Sequence, residues 1–237
     1  MDHQLLSVQA ADWYYNDLRQ VGLDFADPVQ VATYDTRQRS TDAAAAQLLQ
    51  DLGVQHGAVL ADIGCGTGVL ACQAALLGCK VSAIDISDAM LAATRSRASA
   101  LGAHGIKTQQ GGFLTFTAPP ASIDVVTTQY ALHHLNDFWK LVALQRIHHS
   151  LKAGGLLFLR DIVFSCEPAE LTETVESWLK WMQAERGYTR EENATHVREE
   201  HSTFSWVMEG LLERAGFEVG TPKYTRGVYA TYVAQKP

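Results

Sequence analysis

No apolar run in this chain approaches the roughly 20 residues that a membrane-spanning helix needs, so no such span is expected. Basic residues are scarce: 19 Lys and Arg stand against 26 Asp and Glu, a net charge of −7. There is no Lys/Arg cluster either, so the chain lacks the basic face of a general nucleic-acid binder. Cysteine is limited to Cys65, Cys72, Cys79 and Cys166, in no zinc-ligand spacing and with no secretory signal ahead of them. That usage reads as reduced thiols in a cytoplasmic protein, and no metal site is expected. Repeats and low-complexity tracts are absent. What remains is 237 residues, 47% of them apolar, enough for one α/β domain with a sizeable core and an added cap.

The order of periodic segments sets the architecture. Residues 2–20 read as an aromatic-rich helix and 22–40 as a looser segment containing Pro28. Thr41-Asp42 can cap an alanine-rich helix over 43–52. Strands at 58–63, 80–86, 106–110, 123–129 and 156–164 then alternate with helices at 68–77, 88–101 and 137–151. Ser87 or Asp88 can cap the second of these, and Ala153-Gly154-Gly155 turns into the last strand. Apolar strands alternating with helices argue for a parallel sheet covered on both faces. The alternation breaks at 165–201, which reads as one or two helices with an apolar stripe of Leu171, Val175, Trp178 and Met182. This stretch holds nine Glu against four Lys/Arg, most of the chain's negative charge. A helix over 203–215, a strand over 217–222 and a last strand over 228–234, after Arg226-Gly227, complete the pattern as a hairpin. The chain divides into an N-terminal helical cap segment (1–40), an α/β core (41–164), an inserted helical stretch (165–201) and the rest of the core (202–237).

One loop carries the function. Asp62-Ile63-Gly64-Cys65-Gly66-Thr67-Gly68 lies between a buried strand and a helix. Glycines there let the backbone turn tightly and approach a ligand, and the free N–H groups of the helix start face it. Dinucleotide folds use G-x-G-x-x-G. Here the third glycine comes one residue early, and an acid sits two residues before the first.

That acidic-x-Gly-x-Gly-x-Gly pattern resembles motif I of the class I S-adenosylmethionine (SAM) methyltransferases. The run Val31-Ala32-Thr33-Tyr34-Asp35 and the segment Asp124 to Leu135 resemble the type 11, ubiquinone/menaquinone-methyltransferase-like group. The resemblance covers residues 31–164 well and 203–235 loosely. It implies a Rossmann-like sheet of seven strands, mostly parallel with a reversed C-terminal hairpin. It also implies SAM as cofactor, S-adenosylhomocysteine as product, and a small-molecule O, N, S or C acceptor. Nucleic-acid and membrane partners are not implied, and the chain would be a monomer or homodimer.

Cofactor contacts are expected from Asp62, Gly64, Cys65, Gly66 and Gly68 of the loop. Asp85, 23 residues after Asp62, ends strand two, where an acid can accept both ribose hydroxyls. A helix cap is the other use of such an Asp, but Ser87 and Asp88 can do that job. Ile86 either packs under adenine or fills the core. Relatives often carry Asp at the position of Gly112, to accept from the adenine amino group. Its absence here leaves adenine to the Phe113 backbone and to packing. Tyr34 either closes over the methionine end of SAM or anchors the N-terminal helix.

Gln129, expected at the cofactor, and Tyr130, expected among the catalytic residues, follow strand four, at the ligand crevice of an open α/β sheet. His133 or His134 can serve as general base, because imidazole titrates near neutral pH. One is read as base and the other as structural, with His133 preferred for catalysis. His148-His149, adjacent on a helix, make a poor metal pair and read as structural. Trp178, Trp181 and Trp206 read as core. His196 and His201, with Glu199 and Glu200, reach the crevice only if 165–201 folds over it.

The stretch 165–201 is read as a substrate lid, against a solvated acidic helix or a dimer surface, and its charge hints at a cationic or amine acceptor. Two other functions fit the same fold: a SAM-binding enzyme that transfers no methyl, such as a cyclase or isomerase, and a catalytically silent SAM-binding partner protein.

Overall fold

The computed structural model describes residues 12–18 and 28–237. Most of the expected 2–20 helix lies outside the described residues, and 12–18 form turns instead. The looser segment expected over 22–40 contains a helix, α1 (Pro28–Gln38). Pro28 is its first residue, where a missing N–H costs nothing and the fixed φ suits a helix. Thr41 caps α2 (Asp42–Asp51) by accepting from Ala44 N. Then come β1 (Val59–Ile63), α3 (Val69–Leu76), β2 (Lys80–Asp85), α4 (Asp88–Leu101), β3 (Ile106–Gln110), β4 (Ile123–Gln129) and α5 (Asp137–Ser150). Ser87 is the cap of α4, its hydroxyl accepting from Met90 N.

β5 runs from Leu151 to Phe164, longer than expected. The chain leaves α5 directly into pairing, Leu151 beside Ile123. A bulge over 152–155 then restores register at Leu156 beside Val125. Left-handed Gly154, at φ +77°, makes that bulge. Next follow α6 (Leu171–Arg186) and α7 (Arg190–Glu199). The helix expected from 203 begins two residues later as α8 (Ser205–Arg214). Thr203–Phe204 form β6 and add to the end of β5 instead. The strand expected at 217–222 shortens to β7 (Glu218–Val219): Gly220 N still donates to Val233 O, but Pro222 has no N–H to extend the ladder. β8 (Lys223–Thr225) and β9 (Tyr229–Gln235) form the hairpin.

The sheet order is β3-β2-β1-β4-β5-β9-β7, with β6 and β8 as short side pairs. β1 through β5 pair in parallel, and β9 lies antiparallel between β5 and β7. These seven strands with a reversed C-terminal end are the sheet the resemblance implied. One apolar layer packs α5 and α8 on one face (Leu144, Ile147, Met208, Leu212). The other packs α2, α3 and α4 on the opposite face (Leu49, Leu70, Cys72, Leu91). A third cluster seats Trp178, Leu179, Met182 and Tyr188 of the 165–201 stretch on Ile162, Phe164 and Val228. Trp206 is 71% exposed and so is not the core residue expected of it, because it falls on the outer face of α8. Among the described residues no helix is long and apolar enough to cross a membrane. The four cysteines are free thiols.

Candidate functional site

Strand order reverses between β1 and β4. Loops leaving the carboxyl ends of these two strands diverge there and open a crevice. Gly64, Gly66 and Gly68 all have left-handed φ, at +74°, +54° and +77°. A Cβ on Gly64 would lie 2.5 Å from Ala131 Cβ, and one on Gly68 2.6 Å from Thr94 Cγ2. These two glycines admit the neighbouring loop and α4. Gly66 is different: a Cβ there would meet only the Tyr34 ring, at an ordinary 3.5 Å, and would project toward the crevice.

The Asp85 carboxylate holds the loop, with Oδ2 accepting from Gly66 N and Oδ1 from Ser87 N, both at 2.9 Å. Burial raises its pKa, against those backbone donors. Asp35, the neighbour of Tyr34, accepts from Thr67 Oγ1 at 2.5 Å and pairs with Arg97, which also reaches Asp42 at 3.1 Å. Helix α1 is thereby tied across the loop, with Tyr34 at the crevice. Asp62 sits beneath the loop, where it accepts from Thr127 Oγ1 at 2.7 Å and burial raises its pKa to about 7.

Of the residues expected at the cofactor, Tyr34, Gly64, Gly66, Asp85, Ile86, Gly112 and Phe113 line the crevice. Asp62, Cys65, Gly68 and Gln129 do not; Gln129 instead accepts from Arg160 Nη1 at 3.2 Å. The crevice also gains Asp17, which the sequence did not suggest. Its Oδ2 accepts from Leu114 N at 2.6 Å, and its Oδ1 is buried with no hydrogen-bond partner among the described residues.

The crevice is narrow, about 90 Å³, and shares Tyr34, Tyr130 and His134 with a larger cavity of about 480 Å³ beneath α6 and α7. Tyr130 is held at φ +53°, a strained conformation for an aromatic residue. Behind it lies a buried ionic cluster. Asp161 Oδ1 meets His133 Nδ1 at 2.5 Å, and Asp161 Oδ2 accepts from His133 N at 2.9 Å. Glu200 Oε2 lies 3.0 Å from His133 Nε2 and also pairs with His196 Nδ1. Burial pushes the His133 pKa down, but the two carboxylates, Asp161 foremost, outweigh it and raise it to about 10. His133 is therefore an imidazolium with both nitrogens engaged. The ring of His134 lies 4.3 Å from that of His133. Burial first and the neighbouring imidazolium second lower its pKa to about 3, so it is neutral, and its Nδ1 is buried with no partner among the described residues.

His133, His134 and Glu200 bring three ligand-type atoms within 4.8 Å of one another, a grouping that the sequence reading did not expect. The signal for it was present in part: Asp161 is a charge inside the apolar strand 156–164, and such a charge must find a partner. His196 joins the cluster because α7 folds over the sheet. The side chain of His201 does not join; its backbone N donates to His133 O at 2.8 Å. His148 packs edge-on against Phe217, away from the site.

An α/β sheet with a glycine loop after β1, an acid ending β2 and a cavity beyond β4 defines a class of nucleoside-cofactor enzymes. Residues 60–155 match the family described as "Methyltransferase domain". An uncharacterized methyltransferase of Geobacillus thermodenitrificans is 30% identical over 189 residues, 80% of this chain and 82% of that protein. A SAM-dependent methyltransferase from Aquifex aeolicus superposes with a TM-score of 0.64 at 19% identity, over 89% of this chain and 99% of that one. A [4+2]-cyclase shares the fold as well, at a TM-score of 0.64 and 16% identity, over 84% of this chain and 83% of its own. The chain belongs to the methyltransferases, and it shares its fold with SAM-dependent members.

Proposed function

We propose that the protein methylates a small molecule held in the cavity beneath residues 165–201, with His134 as the general base. One observation carries this reading: Tyr34, Tyr130 and His134 line both the cofactor crevice and the larger cavity. A group passing from one space to the other goes between these three side chains.

Bound cofactor supplies a methyl group already activated by a sulfonium. The rest falls to the chain. Asp85 would accept from the ribose hydroxyls, while Ile86, Met90 and Phe113 offer apolar contact to the base. Asp17 would take the part of the acid missing at Gly112, since its carboxylate stands beside Gly112 in that wall of the crevice. Tyr34, on a helix tied to the loop through Asp35 and Arg97, would close the crevice and exclude water. Alignment of two bound groups can account for about 7–11 kcal/mol of a barrier, so positioning comes first.

The base assignment moves from His133 to His134. An imidazolium between two carboxylates has no lone pair to take a proton at neutral pH. A neutral imidazole that lines both spaces keeps one. His133 then acts as a positioning residue: it holds Asp161 and Glu200 and keeps His134 neutral.

Residues 165–201 serve as the roof of the acceptor site rather than as a loose acidic helix. Their apolar stripe is buried on β5 and β9, and four of their glutamates are paired with arginines. The test is incubation with methyl-labelled SAM and a metabolite extract. Label in a small product, with S-adenosylhomocysteine released, supports the reading. Binding of SAM with no transfer to any extract component, and with His134→Gln behaving as the parent protein, would place the chain with the enzymes that share the fold but move no methyl.

A further inference from the structure

We propose that the acceptor is a small anion. A carboxylate or phosphate-monoester group would sit among Arg160, Arg186 and Arg226, a flat body against Trp181 and Tyr229, and the accepting atom toward Tyr130 and His134. Only the last clause rests on the methyl-transfer reading above; the anion site stands on separate observations.

The cavity is cationic although the chain is acidic. Arg37, Arg160, Arg186, Lys223 and Arg226 line it, against the carboxylates Glu192 and Glu200. Both carboxylates are already engaged, Glu192 with Arg37 at 3.3 Å and Glu200 with His133 and His196. Among the described residues, the arginines that do pair with carboxylates are Arg37, Arg39, Arg97, Arg190 and Arg198. Arg160, Arg186 and Arg226 are not among them. Arg160 spends two donors on the neutral oxygens of Gln129 and Thr231. Arg186 donates Nη1 to Arg37 O at 3.0 Å, and its buried Nε has no partner among the described residues.

Arg186 and Arg226 both lie over the Trp181 ring, at 5.2 and 4.3 Å from its centre. Two like charges held near one indole without a counter-ion repel, and an anion between them removes that cost. Arg226 is also strained. It and Gly227 both have positive φ, +58° and +69°, in a turn closed by Val228 N donating to Thr225 O. Glycine or asparagine suits the Arg226 position better, so the guanidinium is kept there at a conformational cost. A planar fork of donors matches carboxylate and phosphate.

The aromatic wall sets the size. Trp181 to Tyr229 is 6.2 Å between ring centres, and Tyr229 to Tyr130 is 6.1 Å. Those two steps lead from the arginines to the junction with the cofactor crevice, a span suited to a single ring or a chain of similar length. The cationic or amine acceptor suggested by the acidic composition of 165–201 is therefore replaced: five of those nine glutamates pair with arginines or histidines, while arginines face the cavity.

The test uses the full chain saturated with S-adenosylhomocysteine and four single-ring probes: benzoate, phenyl phosphate, benzamide and benzylammonium. Tryptophan fluorescence and ligand-observed NMR read binding. Benzoate or phenyl phosphate should bind at least about tenfold tighter than benzamide, and benzylammonium weakest. Arg186→Gln and Arg226→Gln should each weaken the anion about tenfold and leave benzamide unchanged, and added salt should weaken the anions alone. The ratio of benzoate to phenyl phosphate names the anion. Calorimetry of S-adenosylhomocysteine on the same variants reports folding, since neither arginine lines the cofactor crevice. Equal binding of the charged and neutral probes, or anion affinity untouched by both substitutions in folded protein, overturns the proposal while methyl transfer stands. Loss of S-adenosylhomocysteine binding in the parent protein would instead undo the methyl-transfer reading and leave the probe comparison intact.

Discussion

Asp17 occupies the space that a side chain on Gly112 would need: a Cβ on Gly112 would lie 2.5 Å from Asp17 Oδ2. An acid at position 112 and an acid at position 17 exclude each other, and this chain keeps the second. Asp17→Ala should therefore weaken S-adenosylhomocysteine about tenfold, the worth of one charge-assisted hydrogen bond. Calorimetry reads it; an unchanged affinity would mean that Asp17 only ties the N-terminal segment to Leu114.

Asp85→Ala should cost cofactor binding ~1–3 kcal/mol through the lost ribose acceptor. The structure adds a second effect. The same carboxylate accepts from Gly66 N and Ser87 N, so the melting temperature should fall modestly too. A large fall in stability with normal affinity in the folded protein would make Asp85 a loop clamp only.

The loop glycines should fail differently. Gly64→Ala drives a methyl group into Ala131 Cβ at 2.5 Å, so its main effect is on folding, with a cost of ~1–3 kcal/mol from overpacking and the left-handed φ. Gly66→Val meets only the Tyr34 ring but projects into the crevice, so it should fold and lose the cofactor. Thermal melts beside calorimetry separate the two; identical phenotypes would refute the distinction.

Stability should fall as pH rises above neutrality. His133 has a folded pKa of about 10 against an ordinary 6.5, so its contribution is full below 6.5 and is lost as pH climbs toward 10. Asp62, raised to about 7 from 3.8, slopes the same way over a lower range, since burying its carboxylate becomes costlier as it ionises. His133→Asn should flatten the melting-temperature profile above pH 7, and Asp62→Asn the part below it. Profiles unchanged in both variants would argue against these ionisations.

His134→Gln should lower kcat for an acceptor that must lose a proton, by less than the ~10²–10⁴ of a base tuned to the working pH, because an imidazole with its pKa near 3 is a weak base. Because its pKa is held near 3, the activity of the parent should show no step at the ordinary histidine pKa of 6.5. A step there that vanishes in His134→Gln would reverse that assignment.

Local pattern determined much of this protein. The run Asp62 to Gly68 dictates a strand, a left-handed glycine loop and a helix, because glycine adopts those φ values without a Cβ penalty. Strand periodicity set β1 to β4 almost to the residue, and Thr41 and Ser87 act as the caps their positions suggested. Boundaries failed where another strand decided them: Thr203–Phe204 reads as helix until β5 offers an open edge. Tertiary structure alone chose between the two histidines. His133 and His134 are equivalent in sequence; Asp161, 28 residues on, and Glu200, on a helix laid over the sheet, make one a cation and leave the other neutral. Asp17 and Arg226 likewise carry no local signal. Composition counts charges, while pairing decides which of them face a ligand. An acidic chain could thus place three arginines without carboxylate partners in one cavity, because burial penalises a charge according to its neighbours and not according to the chain's total.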